Sequence, residues 1–240
     1  MKALILAGGP STRMGDLTKE TPKCLLKVGD KSIIEYQINW LNKVGINKIC
    51  TVLGPNSEKV INLLGNKSEY IINNKFKDTG TLYGTYIAKD DVYNDDLLIV
   101  YGDLLFDYNL LKEIMNKEGD IVITYFPGVY EKEQMYVNIK DGFLNKISLN
   151  MNKKDMSGYW TLMTKLSKKG IKLIFDEMES SLKENANNSK AHFAEVIFQR
   201  LISKGIPIHA YPSKATVWYN INRREELEFA REHILPKLKL

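Results

Sequence analysis

An arginine and a lysine follow a glycine pair near the start of the chain, in MKALILAGGPSTRMG and the TPKCLLKV beyond it. Gly8 and Gly9 remove side chains where a backbone must turn sharply or approach a ligand closely. Successive amide N–H groups in such a loop can cradle anionic oxygens. Arg13 and Lys23 add two positive charges, which suit the charge of a triphosphate. The stretch predicts a phosphate-binding loop, although a glycine pair alone is more typical of a simple turn.

A carboxylate follows the apolar run LLIVYG. A buried parallel strand over this run would place Asp103 at the carboxyl edge of a sheet, where α/β proteins bind their ligands. Mg²⁺ prefers carboxylate oxygen, although an aspartate after a strand is also typical of a turn. Asp107 is expected to cap the helix that begins at NLLKEI.

Several function classes are disfavoured by composition and motifs. The net charge of +5 is mild and the lysines are scattered, so nucleic acid is not an expected partner. Neither GxxxxGK[ST] nor GxGxxG is present, which argues against a P-loop kinase and a Rossmann dehydrogenase. Cys24 and Cys50 lack the spacing of a zinc site or a disulfide framework. His192, His209 and His233 are expected to be packing or surface residues.

Targeting signals are also missing from the sequence. No apolar run approaches the length of a membrane span, so no membrane association is expected. Met1 leads directly into the first predicted strand, which leaves no room for a signal peptide. The sequence therefore predicts a cytoplasmic protein.

The elements that must position these residues alternate between strand and helix in the first half of the chain. The run from Ala3 to Ala7 predicts a buried strand, and residues 8–15 are expected to be neither helix nor strand. Repeated strand–helix units imply right-handed crossovers. We expect an α/β fold with a doubly wound, Rossmann-like, mostly parallel sheet.

The middle of the chain has a different pattern. Residues 135–150 predict a β-hairpin that turns at Asp141-Gly142. Residues from roughly 126 to 165 could form a small inserted β lobe that covers the acceptor side of the sheet. Tyr159 and Trp160 lie on opposite faces of the strand SGYWTLMT, so only one can face a pocket. We expect one domain over residues 1–240.

The opening segment resembles the sugar-nucleotide-type nucleotidyltransferases, whose usual form is LAAGxGTRM followed by PKxL. The resemblance covers more than thirty residues and rests on matches at Leu6, Ala7, Gly9, Thr12, Arg13, Met14, Pro22, Lys23, Leu25, Ile34 and Tyr36. Where Ser11 stands the family usually has glycine, so this loop is expected to be stiffer. The resemblance implies the nucleotide-diphospho-sugar transferase type of fold and transfer of a nucleotidyl group with release of pyrophosphate.

The resemblance also implies roles for particular residues. Arg13 and Lys23 would be catalytic, and Asp103 would be the first Mg²⁺ ligand. In VWYNINRREELEFA, Asn222 stands where many members have a second aspartate, and Asn220 lies two residues earlier; which of them binds the metal is left open. The weaker candidates for contact with the acceptor are Tyr159, Trp160 and Asn220. The expected nucleotide-binding residues are Leu6, Ala7, Gly8, Gly9, Ser11, Thr12, Thr79, Gly80 and Thr81.

Two further segments indicate which branch of this family the chain resembles. They are NNKFKDTGTLYGTYIAKDD and GDLLFDYNLLKEI, and both resemble the cytidylyltransferases of phosphocholine and small phosphonates. The expected substrates are therefore CTP and a small phosphate or phosphonate, such as phosphocholine, an aminoalkylphosphonate or an amino-acid amide phosphate. Such reactions serve cell-surface polysaccharide or phosphonate biosynthesis. Alternatives are a sugar-1-phosphate nucleotidyltransferase using UTP or dTTP and a non-catalytic nucleotide-binding regulator. A homodimer is left open.

Overall fold

The computed structural model of the protein describes residues 1–128 and 134–238. Its strands are β1 (Lys2–Ala7), β2 (Lys27–Val28), β3 (Lys31–Ser32), β4 (Ile49–Leu53), β5 (Glu69–Ile72), β6 (Leu97–Tyr101), β7 (Leu104–Phe106), β8 (Ile121–Pro127), β9 (Tyr136–Lys140), β10 (Phe143–Ser148), β11 (Gly158–Leu166), β12 (His209–Pro212) and β13 (Trp218–Asn220). Its α-helices are α1 (Ile33–Lys43), α2 (Ser57–Leu64), α3 (Thr81–Tyr86), α4 (Lys89–Val92), α5 (Tyr108–Met115), α6 (Lys168–Glu184), α7 (Gln199–Ser203) and α8 (Arg224–Phe229).

Short 3₁₀ and π turns extend or connect these elements. The 3₁₀ turns are Thr12–Thr18, Lys23–Leu25, Gly65–Lys67, Lys153–Asp155, Ala186–Lys190 and Leu235–Lys237, and the π turns are Ala194–Phe198 and Ala230–Ile234. Among the described residues, no helix is both long and apolar enough to span a membrane.

One large sheet forms the centre of the fold. Its strand order is β5-β4-β1-β6-β11-β8-β12-β10-β9. Strands β4 and β6 are buried along their whole length, as expected for continuous apolar runs covered by helices on both faces. The sheet therefore places the carboxyl ends of β1 and β6 side by side, because these two strands pair in parallel.

The ends of two helices have clear local signals, and the predicted Asp107 cap and β-hairpin are confirmed. The α1 helix begins at a capping box in which the backbone N–H and hydroxyl of Ser32 donate to Glu35. It ends before Gly45, which has a φ of +84°. Asp107 caps α5 by accepting a hydrogen bond from the backbone N–H of Leu110 at 3.2 Å. The predicted hairpin consists of β9 and β10 and turns at Asp141-Gly142.

The expectation of a mostly parallel sheet is wrong. Four strand pairs of this sheet are parallel: β1–β4, β1–β6, β4–β5 and β8–β12. Five pairs are antiparallel: β11 with β6, β8 and β9, and β10 with β9 and β12. The sheet is thus mixed rather than mostly parallel, since β11 returns antiparallel to both β6 and β8. The hairpin of β9 and β10 extends the same sheet. Of the lobe predicted at residues 126–165, residues 129–133 lie outside the described part of the chain.

The expectation that residues 8–15 contain no helix is also wrong in part. A 3₁₀ turn begins at Thr12 and is interrupted at Gly15, which has a φ of +59°. Ser11 precedes it in the left-handed region, with a φ of +54°. A glycine has no steric penalty in this region. The backbone thus accounts for the glycine that related sequences carry at this position.

The candidate phosphate-binding loop packs against the end of β4, where Gly8 and Gly54 approach each other closely. A Cβ added at Gly54 would lie 2.4 Å from the carbonyl oxygen of Gly8. Close backbone approach therefore excludes side chains at the end of β4. A similar approach occurs at Gly102, where a Cβ would lie 2.7 Å from the Cβ of Ala7.

We predict that Gly54→Ala lowers the free energy of unfolding by about 1–3 kcal/mol, because the added methyl overpacks the loop against backbone atoms. Gly84→Ala is the matched control. Its Cβ would lie 3.9 Å from the nearest atom, in Val52, and it stands within α3. Alanine there should raise stability by up to about 1 kcal/mol. Urea denaturation of both variants checks the prediction, and equal stability of Gly54→Ala and the wild type would contradict it.

Candidate active site

The main cavity opens at the carboxyl ends of β1 and β6 and has a volume of about 320 Å³. Apart from Asn220, the alternative metal ligand, every residue that the sequence analysis assigned to nucleotide binding, catalysis or metal binding lines it. These residues are Leu6, Ala7, Gly8, Gly9, Ser11, Thr12, Arg13, Lys23, Thr79, Gly80, Thr81, Asp103 and Asn222. Five separate segments of the chain thus meet at one site.

At the polar centre of this cavity, Lys23 and Asp103 form an ion pair, and Lys23 also contacts the side-chain amide of Asn222. Lys23 Nζ lies 2.7 Å from Asp103 Oδ2 and donates to Asn222 Oδ1 at 3.1 Å. Arg13 Nη2 donates to the same amide oxygen at 3.0 Å. The side chains of Lys23 and Asp103 are only 14% and 19% exposed, so water screens their charges weakly. Two cations and one carboxylate are therefore fixed within a few ångströms.

A two-stranded ribbon brings the distant polar residues together. Strands β7 and β13 pair in antiparallel register, with Leu104 opposite Asn220. The backbone N–H of Ile221 donates to the carbonyl oxygen of Asp103 at 3.0 Å. This pairing places Asp103 beside Asn222, although the two are far apart in sequence.

Gln37 also supports this turn. It is a buried residue on α1 whose side-chain amide donates to the carbonyl oxygens of Tyr101 and Leu104 at 2.9 and 2.8 Å. These two carbonyls flank Asp103, so Gln37 fixes the turn that presents the carboxylate. The sequence analysis missed this residue; the available signal was a glutamine within the apolar face of α1.

The donor set suits a divalent cation. Asp103 Oδ1 is buried and has no hydrogen-bond partner among the described residues. An unpaired buried oxygen of a carboxylate is costly, and a bound cation would satisfy it. A carboxylate with a neighbouring amide oxygen from Asn222 fits Mg²⁺. The described part of the chain holds no cluster of three or more histidine, cysteine, aspartate or glutamate side chains, so water and phosphate oxygens would complete the coordination.

The other wall of the main cavity is built from two segments that hold each other. The backbone N–H of Gly80 donates to the carbonyl oxygen of Ser189 at 2.7 Å. The backbone N–H of Phe193 donates to Thr81 Oγ1 at 2.9 Å. A Cβ at Gly80 would lie 2.5 Å from the carbonyl oxygens of Lys190 and Ala191, so glycine is required there.

This segment contributes residues that the sequence analysis did not assign to the site. Lys190, Ala191 and His192 line the cavity. His192 is exposed, as expected of a surface residue, and it also lines the cavity. It follows a 3₁₀ turn that crosses from α6 back over α3, and this contact between distant elements has no local sequence signal.

The three weaker acceptor candidates lie in different environments. Trp160 is buried, and its indole N–H donates to the carbonyl oxygen of Met163 at 2.8 Å. The expectation that Trp160 could contact an acceptor is therefore wrong, because its side chain fills the core. The ring of Tyr159 packs between Phe126 and Trp218 and is not part of the lining of either cavity at this edge. Asn220 lines a smaller cavity next to the main one.

The thiol nearest to the polar centre is not a nucleophile at neutral pH. Burial raises the pKa of Cys24 to about 12, despite the opposing effect of its own backbone hydrogen bond and of Lys23. Burial also raises the pKa of Tyr101, whose hydroxyl donates to Thr81 Oγ1 at 3.4 Å. Both groups stay protonated at pH 7, so the site has the character of an electrostatic binding site rather than a covalent one.

Residues 3–183 match the family profile described as the MobA-like NTP transferase domain. The chain belongs to this family. A CTP:phosphoglutamine cytidylyltransferase from Campylobacter jejuni is 33% identical over 132 residues, which cover 52% of each protein. A choline-phosphate cytidylyltransferase from Streptococcus pneumoniae is 33% identical over 137 residues, 55% of each. The matched part thus spans about half the length of these curated relatives.

The fold agrees with that of a solved nucleotidyltransferase. The CTP:phosphocholine cytidylyltransferase structure from Streptococcus pneumoniae has a TM-score of 0.76 and covers 96% of this chain and 97% of its own, at 19% identity. At this level of identity the structural likeness concerns the fold.

We predict that Lys23→Met and Asp103→Asn each lower turnover about a hundredfold or more, because each removes a charge from a water-poor site. Lys19 and Asp16 form a matched surface pair, 2.6 Å apart with both side chains more than 70% exposed. Lys19→Met and Asp16→Asn should leave turnover within twofold of the wild type, since an exposed pair contributes little. Pyrophosphate release measures all four variants, and circular dichroism confirms folding. Near-native turnover of Lys23→Met would mean that the site is misplaced.

Proposed function

We propose that the protein is a Mg²⁺-dependent cytidylyltransferase that joins CMP from CTP to a small phosphate or phosphonate and releases pyrophosphate. The observation that carries the proposal is the convergence of Arg13, Lys23, Asp103 and Asn222 beside the backbone of a glycine-bearing loop. The two cytidylyltransferases of small phosphates among its relatives support the choice of CTP.

The reaction is an in-line displacement at phosphorus. An oxygen of the acceptor phosphate attacks the α-phosphorus of CTP, the bond to the bridging oxygen breaks, and pyrophosphate leaves with that electron pair. The attacking oxygen is already anionic at neutral pH, so no general base is needed. This fits a cavity whose charged groups are arranged for stabilisation rather than proton transfer.

Lys23 and Arg13 would stabilise charge on the triphosphate. In the structure Lys23 is paired with Asp103, and a triphosphate would offer it a denser set of anionic partners. We assign Lys23 to the α-phosphoryl group and Arg13 to the departing β,γ portion. When bound to Asp103 and Asn222, Mg²⁺ would neutralise charge on the phosphate oxygens.

The nucleoside would lie between the first loop and the turn at Thr79–Thr81. Ala7 and Gly8 present backbone groups on one side, and Gly80 with Lys190 and Ala191 forms the other. Backbone groups in such a slot can read the edge of a pyrimidine, and the two cytidylyltransferases among the relatives are the basis for preferring CTP. We expect CTP to exceed UTP, dTTP and ATP in kcat/KM by about tenfold or more.

The test is pyrophosphate release by the purified protein with each of these four nucleotides and a panel of small phosphates, phosphonates and sugar 1-phosphates. A kcat/KM for CTP that exceeds that for each other nucleotide by about tenfold or more is the predicted result. A clear preference for dTTP with glucose 1-phosphate would establish the sugar-nucleotide alternative. Binding of CTP with no turnover on any acceptor would make the protein a nucleotide-binding regulator.

A further inference from the structure

The amide oxygen of Asn222 is the atom at which the two cations of the polar centre meet. Arg13 Nη2 and Lys23 Nζ both donate to Asn222 Oδ1, at 3.0 and 3.1 Å. Hydrogen bonds are directional, so two donors on one oxygen tolerate little displacement of that oxygen. A shift of the backbone at residue 222 would therefore disturb both cations and the metal ligands beside them.

Regular secondary structure does not fix the backbone of Asn222. This residue lies between β13, which ends at Asn220, and α8, which begins at Arg224. The residue before it is fixed by the backbone N–H of Ile221, which donates to the carbonyl oxygen of Asp103 at 3.0 Å. The backbone N–H of Asn222 itself needs a different partner, because it follows the end of the two-stranded ribbon.

Glu226 provides that partner from the first turn of α8. Its Oε2 accepts hydrogen bonds from the backbone N–H of Asn222 at 2.6 Å and from that of Arg223 at 3.1 Å. Hydrogen bonds to a carboxylate are shorter and stronger than those to a neutral oxygen. Two successive backbone amides, of residues 221 and 222, are thus held by Asp103 and Glu226.

These hydrogen bonds also form part of the capping box of α8, in which Glu226 is the third helical residue. A cap that serves stability alone is present at α6, where Ser167 Oγ accepts from the backbone N–H of Gly170 at 3.1 Å. That cap follows the end of β11, where Leu166 pairs with Leu97 at the start of β6, the edge of the sheet opposite the cavity. Glu226 differs because one amide that it binds belongs to a residue of the polar centre.

We infer that Glu226 is a positioning residue, which holds the backbone of Asn222 so that its amide oxygen stays beside Asp103 and the two cations. Glu226 is not part of the lining of either cavity, so its effect passes through Asn222. The inference rests on the proposed function and adds a residue on which metal affinity and turnover both depend. Groups that orient metal ligands typically change metal affinity or activity by about 10–100-fold when they are removed.

The test measures Mn²⁺ affinity in the presence of CTP by electron paramagnetic resonance, and kcat by pyrophosphate release with the acceptor that gives the highest turnover. We expect Glu226→Ala to weaken Mn²⁺ binding and to lower kcat, each by about tenfold or more. Glu226→Gln should recover most of both, because its amide oxygen can still accept from the two backbone N–H groups. Circular dichroism sets a temperature at which every variant compared is folded.

Two control variants separate positioning from charge and from stability. Glu225→Ala removes the exposed carboxylate next to Glu226 at the start of α8. Ser167→Ala removes the cap of α6 and should lower the midpoint of urea denaturation, as Glu226→Ala does. Neither control should change Mn²⁺ affinity or kcat.

The outcomes are decisive for Glu226. Wild-type Mn²⁺ affinity in Glu226→Ala, an equal loss in either control, or a loss in Glu226→Gln as large as in Glu226→Ala would each overturn the inference. Should Glu226→Ala not fold, Glu226→Asp replaces it: its shorter carboxylate should still weaken Mn²⁺ binding, and unchanged affinity would overturn the inference. Absence of pyrophosphate release from the wild type would overturn the proposed function, whereas Mn²⁺ affinity with CTP would still decide the role of Glu226.

Discussion

The ion pair between Lys23 and Asp103, shared with Asn222, joins three parts of the chain that are distant in sequence. Each part comes from a different structural unit: the turn after the first loop, the end of β6 and the end of β13. A charge this weakly exposed is stable only with a partner. The pair therefore couples correct folding of the sheet edge to correct assembly of the site.

Packing around this pair leaves the backbone little freedom. Gly54 and Gly102 allow main-chain segments to approach where any side chain would collide. Gln37 lies on α1, in the helical layer behind the sheet, and its side chain fixes the turn that carries Asp103. The site is consequently preorganised, and preorganised charges stabilise a transition state without reorganisation during the reaction. This arrangement suits phosphoryl chemistry, in which positioning and charge do most of the catalysis.

Residues in local motifs could be predicted from the sequence, because their signal lies in neighbouring residues. Arg13, Lys23 and Asp103 each follow a short apolar run or a glycine-bearing loop, and the structure brings all three to one cavity. Contacts between distant elements could not be predicted in this way. His192 enters the site because residues 189–193 bind the turn at Thr81, and β11 pairs antiparallel with β8, a strand more than thirty residues earlier in the chain. Asn222 lines both cavities, whereas Asn220 lines the smaller one.

The central claim is that Asp103 and Asn222 hold a divalent ion beside the triphosphate. Electron paramagnetic resonance of Mn²⁺ with CTP, in the wild type and in Asp103→Asn, tests it most directly. The account predicts that the wild type binds Mn²⁺ with CTP at least about tenfold more tightly than Asp103→Asn does, since the variant loses the charged ligand. Equal Mn²⁺ affinity of the two proteins, with CTP bound to both, would contradict the account.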